Sequence, residues 1–196
     1  PTDATAHGRA KIIVMRDPII NIAPTLTFKP SANWTFKNVV VKEGATIEMQ
    51  TKGFNIDALG NFEIEDNGNF IFNYSSNGNP ASGLPLWAGN EIFHPESNFY
   101  IYNHTANSGE YFLPPSTDIT SNIYSGVEGY FGNLIIQSTD GNGFKLTTSN
   151  LSSTTKYLTH KDLIINTVSA YTLFYGNGPW IIGRDLKIGS TATTAL

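Results

Sequence analysis

Along most of the chain, apolar residues alternate with polar ones for a few positions and then stop at Asn, Asp, Gly or Ser. A period of two marks a β-strand with one buried face, and the residues at the stops are those that turn the backbone. No stretch of a dozen residues keeps apolar positions at i, i+3, i+4 and i+7, so helices are not expected. The pattern predicts strands at 11–15, 25–28, 34–41, 45–49, 54–57, 62–65, 70–73, 99–102, 134–137, 143–147, 163–166, 171–175, 180–182 and 186–188. The fold class this implies is all-β.

Within the pattern one phrase recurs: Asn or Asp, then apolar-x-apolar. It starts at Asn38, Asn61, Asn69, Asn98, Asn133, Asp162 and Asp185. The first apolar residues of the copies, Val39, Phe62, Phe70, Phe99, Leu134, Leu163 and Leu186, are spaced by 23, 8, 29, 35, 29 and 23 positions. Such spacings fit a coil of about 20–35 residues, with the spacing of 8 spanning two neighbouring sides of one coil. The predicted architecture is therefore a right-handed parallel β-helix (β-solenoid), each strand lying over its equivalent in the preceding coil. Asn and Asp suit the corners because they tolerate left-handed backbone and can hydrogen-bond the main chain locally. The first and third apolar residues of each phrase should point inward, with Leu134, Leu163 and Leu186 in one column. The outward row is then Val40, Glu63, Ile71, Tyr100, Ile135, Ile164 and Lys187. A β-sandwich is the alternative, since it too has short strands between turns. It gives no reason for the copies to share their corner residue.

Composition narrows the function more than the fold. Of 196 residues, 40% are hydrophobic and 14% charged, which suits one ordered domain, 1–196, with loop inserts at about 73–97 and 103–129. With a net charge of −4 and no cluster of Lys or Arg, the chain lacks the electrostatic footprint of a nucleic-acid partner. The apolar run Ile12–Met15 is far short of the roughly 20 residues that span a bilayer. There is no Cys, which excludes disulfides and thiolate chemistry, and the Asn/Thr/Ser/Gly-rich make-up resembles exported bacterial surface proteins. The chain opens at Pro1 and runs out through Ser190–Leu196 without a capping helix. It is expected to be a length of a longer array, with flanking coils as partners and with end-to-end pairing through residues 180–196 in isolation.

Candidate chemistry is sparse. His7, His94, His104 and His160 lack metal-ligand spacing, and Asp66-Asn67-Gly68 and Asp140-Gly141-Asn142-Gly143 read as turns rather than calcium loops. There is no Gly-x-Ser-x-Gly elbow. A glycosidase or lyase on a β-helix needs paired carboxylates on the outward face, where the row above is apolar in its middle. No catalytic, cofactor or metal residue is therefore assigned, and the protein is read as no enzyme. Ligand contacts, if any, fall on the aromatics of the inserts and the outward row: Trp87, Phe93, Tyr100 and Tyr111.

Tyr130-Phe131-Gly132-Asn133-Leu134-Ile135-Ile136, Leu158 through Asn166, and Arg184-Asp185-Leu186-Lys187-Ile188 together resemble the rhythm of repeat-rich surface proteins of Bacteroidota. Ala45-Thr46-Ile47, Asn61-Phe62-Glu63-Ile64 and Leu86-Trp87-Ala88-Gly89 with Phe93 are similar to that family's coils, so the likeness covers most of 34–189. The resemblance implies a β-solenoid adhesin associated with type IX secretion, at the bacterial cell surface or outside the cell. It also implies a structural or adhesive role, with a surface glycan or another protein as partner. Alternatives are a carbohydrate-active or carbohydrate-binding β-helix module and a phage or fibre-like assembly protein.

Overall fold

The computed structural model describes residues 11–15, 24–28, 34–50, 54–72, 90–102, 110–112, 131–138, 144–147, 159–167, 172–175 and 181–189. Among them run strands β1 (Lys11–Val14), β2 (Thr25–Phe28), β3 (Trp34–Val41), β4 (Thr46–Met49), β5 (Phe54–Ile64), β6 (Asn69–Phe72) and β7 (Asn90–Phe93). Further along come β8 (Asn98–Tyr102), β9 (Glu110–Phe112), β10 (Asn133–Ser138), β11 (Phe144–Thr147), β12 (Leu163–Thr167), β13 (Thr172–Tyr175) and β14 (Leu186–Gly189). All strand pairings among the described residues are parallel, and no helix occurs there. An antiparallel sandwich does not fit this pairing.

Three sheets result, with orders β1-β3-β5-β7, β2-β4-β6-β8-β10-β12-β14 and β9-β11-β13. From β1 to β8 the chain alternates between the first and second sheets, so each strand pairs with the one two places earlier. Parallel neighbours cannot be joined by a tight hairpin. Here the connection between them passes through a strand of the adjoining sheet.

The second sheet keeps one register from edge to edge. Leu26, Ile47, Phe70, Phe99, Leu134, Leu163 and Leu186 align, and two positions on so do Phe28, Met49, Phe72, Ile101, Ile136, Ile165 and Ile188. From Ile47 and Met49 to Leu163 and Ile165 these residues are 0–3% exposed, as expected for inward positions. Each such side chain contributes on the order of 1.5–3 kcal/mol by leaving water. The predicted column Leu134–Leu163–Leu186 is present in register, although Leu186 on the edge strand stays exposed.

The first sheet supplies Val39, Val41, Phe62, Ile64 and Phe93 to the same core. Between the sheets lies an aromatic cluster: Phe62 meets Phe70 edge-on at 5.0 Å, and Phe93 stacks on Phe131 at 5.5 Å and 10°. Phe99 fills the remaining space, 5.0 Å from Phe70 and 4.9 Å from Phe131. Pairs of this geometry add about 0.5–1.5 kcal/mol beyond area burial.

Corners lead from the first sheet into the second. Three of them, Lys42–Ala45, Glu65–Gly68 and His94–Ser97, have four residues, and each is closed by a hydrogen bond of 2.9–3.0 Å from its last N–H to its first carbonyl. The third position is left-handed at Gly44 (φ 70) and Asn67 (φ 59), residues that accept such backbone. Successive corners are joined there: Gly44 N–H donates to the Asn67 carbonyl and Asn67 N–H to that of Glu96, both at 3.1 Å. Farther on, isolated bridges link Phe131, Thr159 and Ile182 just before the corner, and the corners shrink to Gly132, to His160-Lys161 and to Gly183-Arg184. At Gly132 a Cβ would lie 2.4 Å from the His94 carbonyl oxygen and 2.6 Å from that of Ser97, so only glycine fits.

Several expectations change in detail. Val40 and Glu63 belong to the first sheet, in register with Ile13 and Ile92, so they do not share an outward row with Ile71, Tyr100, Ile135, Ile164 and Lys187. Segments 54–57 and 62–65 are not separate: β5 runs unbroken through them and absorbs the difference as an irregularity opposite Phe36–Asn38. β7 and β9 lie inside the stretches read as inserts, because short strands without a leading apolar-x-apolar run leave little alternation to detect.

Candidate interaction surface

At the entry to the second sheet the corner residues form a ladder of amides. Asn69 Nδ2 donates to Thr46 Oγ1 at 3.4 Å, Asn98 Nδ2 to Asn69 Oδ1 at 3.0 Å, and Asn133 Nδ2 to Asn98 Oδ1 at 3.1 Å. A carboxamide both donates and accepts, so it can pass a hydrogen bond from strand to strand indefinitely. Asp162 cannot donate from its carboxylate. Its backbone N–H donates to Asn133 Oδ1 instead, at 3.2 Å.

The Asp162 side chain, 3% exposed, receives its donors from the following segment. Arg184 donates from Nε to Oδ1 at 2.7 Å and from Nη2 to Oδ2 at 2.9 Å, and Lys187 Nζ donates to Oδ2. The Arg184 fork is bidentate, the geometry in which Arg binds carboxylate best. Arg184, aided by Lys187, holds the Asp162 carboxyl well below the usual carboxylate range, against the opposing effect of burial. The Lys187 ammonium is raised in turn, chiefly by the same hydrogen bond.

Other charged side chains also link neighbouring segments. Lys42 pairs with Glu65, which raises the Lys42 ammonium above its ordinary value. His94 Nε2 lies 3.0 Å from Glu63 Oε1, and Lys161 Nζ lies 2.8 Å from Glu96 Oε1. His94 thus has a carboxylate neighbour that spacing alone conceals, because Glu63 sits 31 positions earlier and one strand away. Asp66-Asn67-Gly68 is a turn, with Asp66 Oδ1 accepting from Glu96 N–H at 2.8 Å. Among the described residues no group of three or more His, Cys, Asp or Glu gathers around a common point.

The outward row of the second sheet is Thr27, Glu48, Ile71, Tyr100, Ile135, Ile164 and Lys187. Its middle is apolar, and Ile135 is only 7% exposed. Tyr100 is half-buried among these neighbours, and burial pushes its hydroxyl pKa up. Of the four aromatic ligand-contact candidates only Tyr100 is placed on an outward row. Phe93 is corrected: at 1% exposure its ring belongs to the core, because β7 carries it to the inner face of the first sheet. Tyr111 falls in β9 opposite Leu146, and Trp87 lies outside the described residues. The Asp162–Arg184–Lys187 cluster was not foreseen. Its signal in the sequence is the change from Asn to Asp within the repeated phrase, which removes a donor that something else must supply.

No family model matches the chain, and no match is found among curated proteins or solved structures.

Proposed function

We propose that the chain is a parallel β-helix that serves as a non-catalytic structural or adhesive segment of a secreted or cell-surface protein. The observation that carries this reading is the unbroken register of the seven-stranded second sheet, with its apolar columns buried from β4 to β12 and its corner ladder. Side chains that an enzyme would hold ready for substrate are here engaged in ties between segments: Glu65 to Lys42, Glu63 to His94, Glu96 to Lys161 and Asp162 to Arg184. Such ties stiffen a stack along its axis, which is what a stalk requires. The likeness to repeat-rich bacterial surface proteins gives the same setting.

A carbohydrate-binding role is the second reading, favoured by Tyr100 lying between Ile71 and Ile135 on the outward row. The test is a glycan array run beside a polysaccharide-degradation screen. The structural reading expects no turnover of any polysaccharide, and sustained cleavage would overturn it. Glycan binding that disappears in Tyr100→Ala would establish the second reading.

A further inference from the structure

Among the described residues the second sheet is bounded by β2 on one side and β14 on the other. Its inward columns are sealed in the middle and open at both ends. Leu186 and Ile188 are 51% and 59% exposed where Leu163 and Ile165 are 1% and 3%. At the far edge Leu26, which heads the column that Leu186 ends, is 36% exposed. Apolar ends of this kind, each on the outermost of the described strands, invite a further parallel strand.

We infer that the chain stacks head to tail on second copies of itself, with β14 of one copy pairing in parallel with β2 of the next. The inference rests on the register of the parallel sheet and not on the proposed function. Continuing that register sets Asp185 on Thr25, Leu186 on Leu26, Lys187 on Thr27 and Ile188 on Phe28.

Three observations favour this occupant. The first is the backbone: Leu134 and Leu163 donate their N–H groups to the carbonyls of Asp162 and Asp185 at 3.0 and 2.9 Å. Leu186 comes next in that series, and the Thr25 carbonyl of a second copy stands where its acceptor belongs. The second is the corner. Thr25 sets a hydroxyl opposite the Asp185 carboxylate, and the step from Thr46 to Asn69 already joins a threonine hydroxyl to a corner side chain at 3.4 Å. The third is charge: Arg184, Asp185 and Lys187 have side chains 48%, 54% and 51% exposed, while β2 reads Thr-Leu-Thr-Phe. No like charges meet in this pairing. Because the contact joins two different surfaces, it leaves a free edge at each end and builds an open series rather than a closed dimer.

Sedimentation and light scattering over a rising concentration of the 196-residue chain test this directly. The mass is expected to grow past that of a dimer. Leu186→Lys should abolish growth, as should Leu26→Lys at the opposite edge, each with its circular dichroism unchanged; Ile188→Lys serves as a second block on β14. The decisive arm mixes the two edges. Leu186→Lys retains an open β2 and Leu26→Lys an open β14, so together they should form a species of two chains and nothing larger. A parent chain that stays monomeric, growth that persists in a blocked variant, or failure of the mixture to pair would each overturn the inference.

Discussion

The corner of the second sheet is held in two ways. From β6 to β10 it carries Asn69, Asn98 and Asn133, each amide donating to the corner side chain before it, which for Asn69 is the Thr46 hydroxyl. At β12 it carries Asp162, which accepts from Arg184 and Lys187. The amide stretch is self-sufficient: neutral corner side chains supply both halves of every rung, and no charge is buried. The carboxylate stretch needs cations from outside the ladder. A repeated position therefore does not imply a repeated interaction. Replacing Asn by Asp changes the ladder from a neutral chain into an ion cluster tied to one neighbouring segment.

The contrast can be broken most severely by moving the carboxylate one residue. Leu163→Asp places a charge in the inward column, beyond the reach of Arg184, and should destabilise by about 4 kcal/mol in chemical denaturation. Comparable stability would mean that the inward assignment is wrong. Next, Asn133→Asp converts an amide rung in place. It loses the donor to Asn98 and leaves a buried carboxylate without a cation, so a loss of about 3 kcal/mol is expected at neutral pH, shrinking as the group is protonated in acid.

The converse change, Asp162→Asn, sets an amide NH2 against the Arg184 fork and should cost about 2 kcal/mol. Its pH dependence sharpens the comparison. Asp162 has a folded pKa below its unfolded value of about 4, so its contribution is complete above that value and fades as pH falls toward the folded pKa. Parent and Asp162→Asn stabilities should thus converge in acid, and curves that stay parallel would refute the ion-cluster account. The smallest effect is expected from Lys187→Ala. On the outward-row reading this change is near neutral. Since Lys187 also donates to Asp162, its removal should instead move the acid-induced loss to higher pH, and an unchanged acid profile would show that Arg184 suffices alone.

Much of the fold was legible because burial in a sheet imposes a period of two. Phe70 and Phe72, Phe99 and Ile101, Leu134 and Ile136, and Leu163 and Ile165 were all placed inward from alternation alone, and all are buried. The same period also set a limit. Both sheets bury alternate residues behind an Asn, so Asn38 and Asn61 look like Asn69 and Asn98 although the first two belong to another sheet. The outward rows were merged for that reason. Nor could alternation place Phe93: as an aromatic in a stretch rich in Gly, Pro and Asn it looked available to a ligand, whereas Phe131 and Phe99 enclose it. Tyr100 was placed correctly on an outward face because it sits between two inward residues of one phrase. The ion pairs were out of reach, since Glu96 with Lys161 and Glu63 with His94 meet only after strand register is fixed.

Corner length varies from the single Gly132 to the four residues Glu65–Gly68, yet the strands that follow keep their register. Insertion and deletion should therefore have opposite consequences in the two settings. One residue added inside β10 would turn Leu134 and Ile136 outward and present Asn133 or Ile135 to the core. One residue added beside the exposed Glu43 of the Lys42–Ala45 corner would lengthen the turn at the surface and leave the columns alone. Gly132 and Gly183 are exceptions, because the carbonyls of His94 and Ser97 close over the first and that of His160 over the second. A lineage diversifying this scaffold, or an engineer grafting peptides onto it, thus has freedom to lengthen the four-residue corners but none at Gly132 or Gly183.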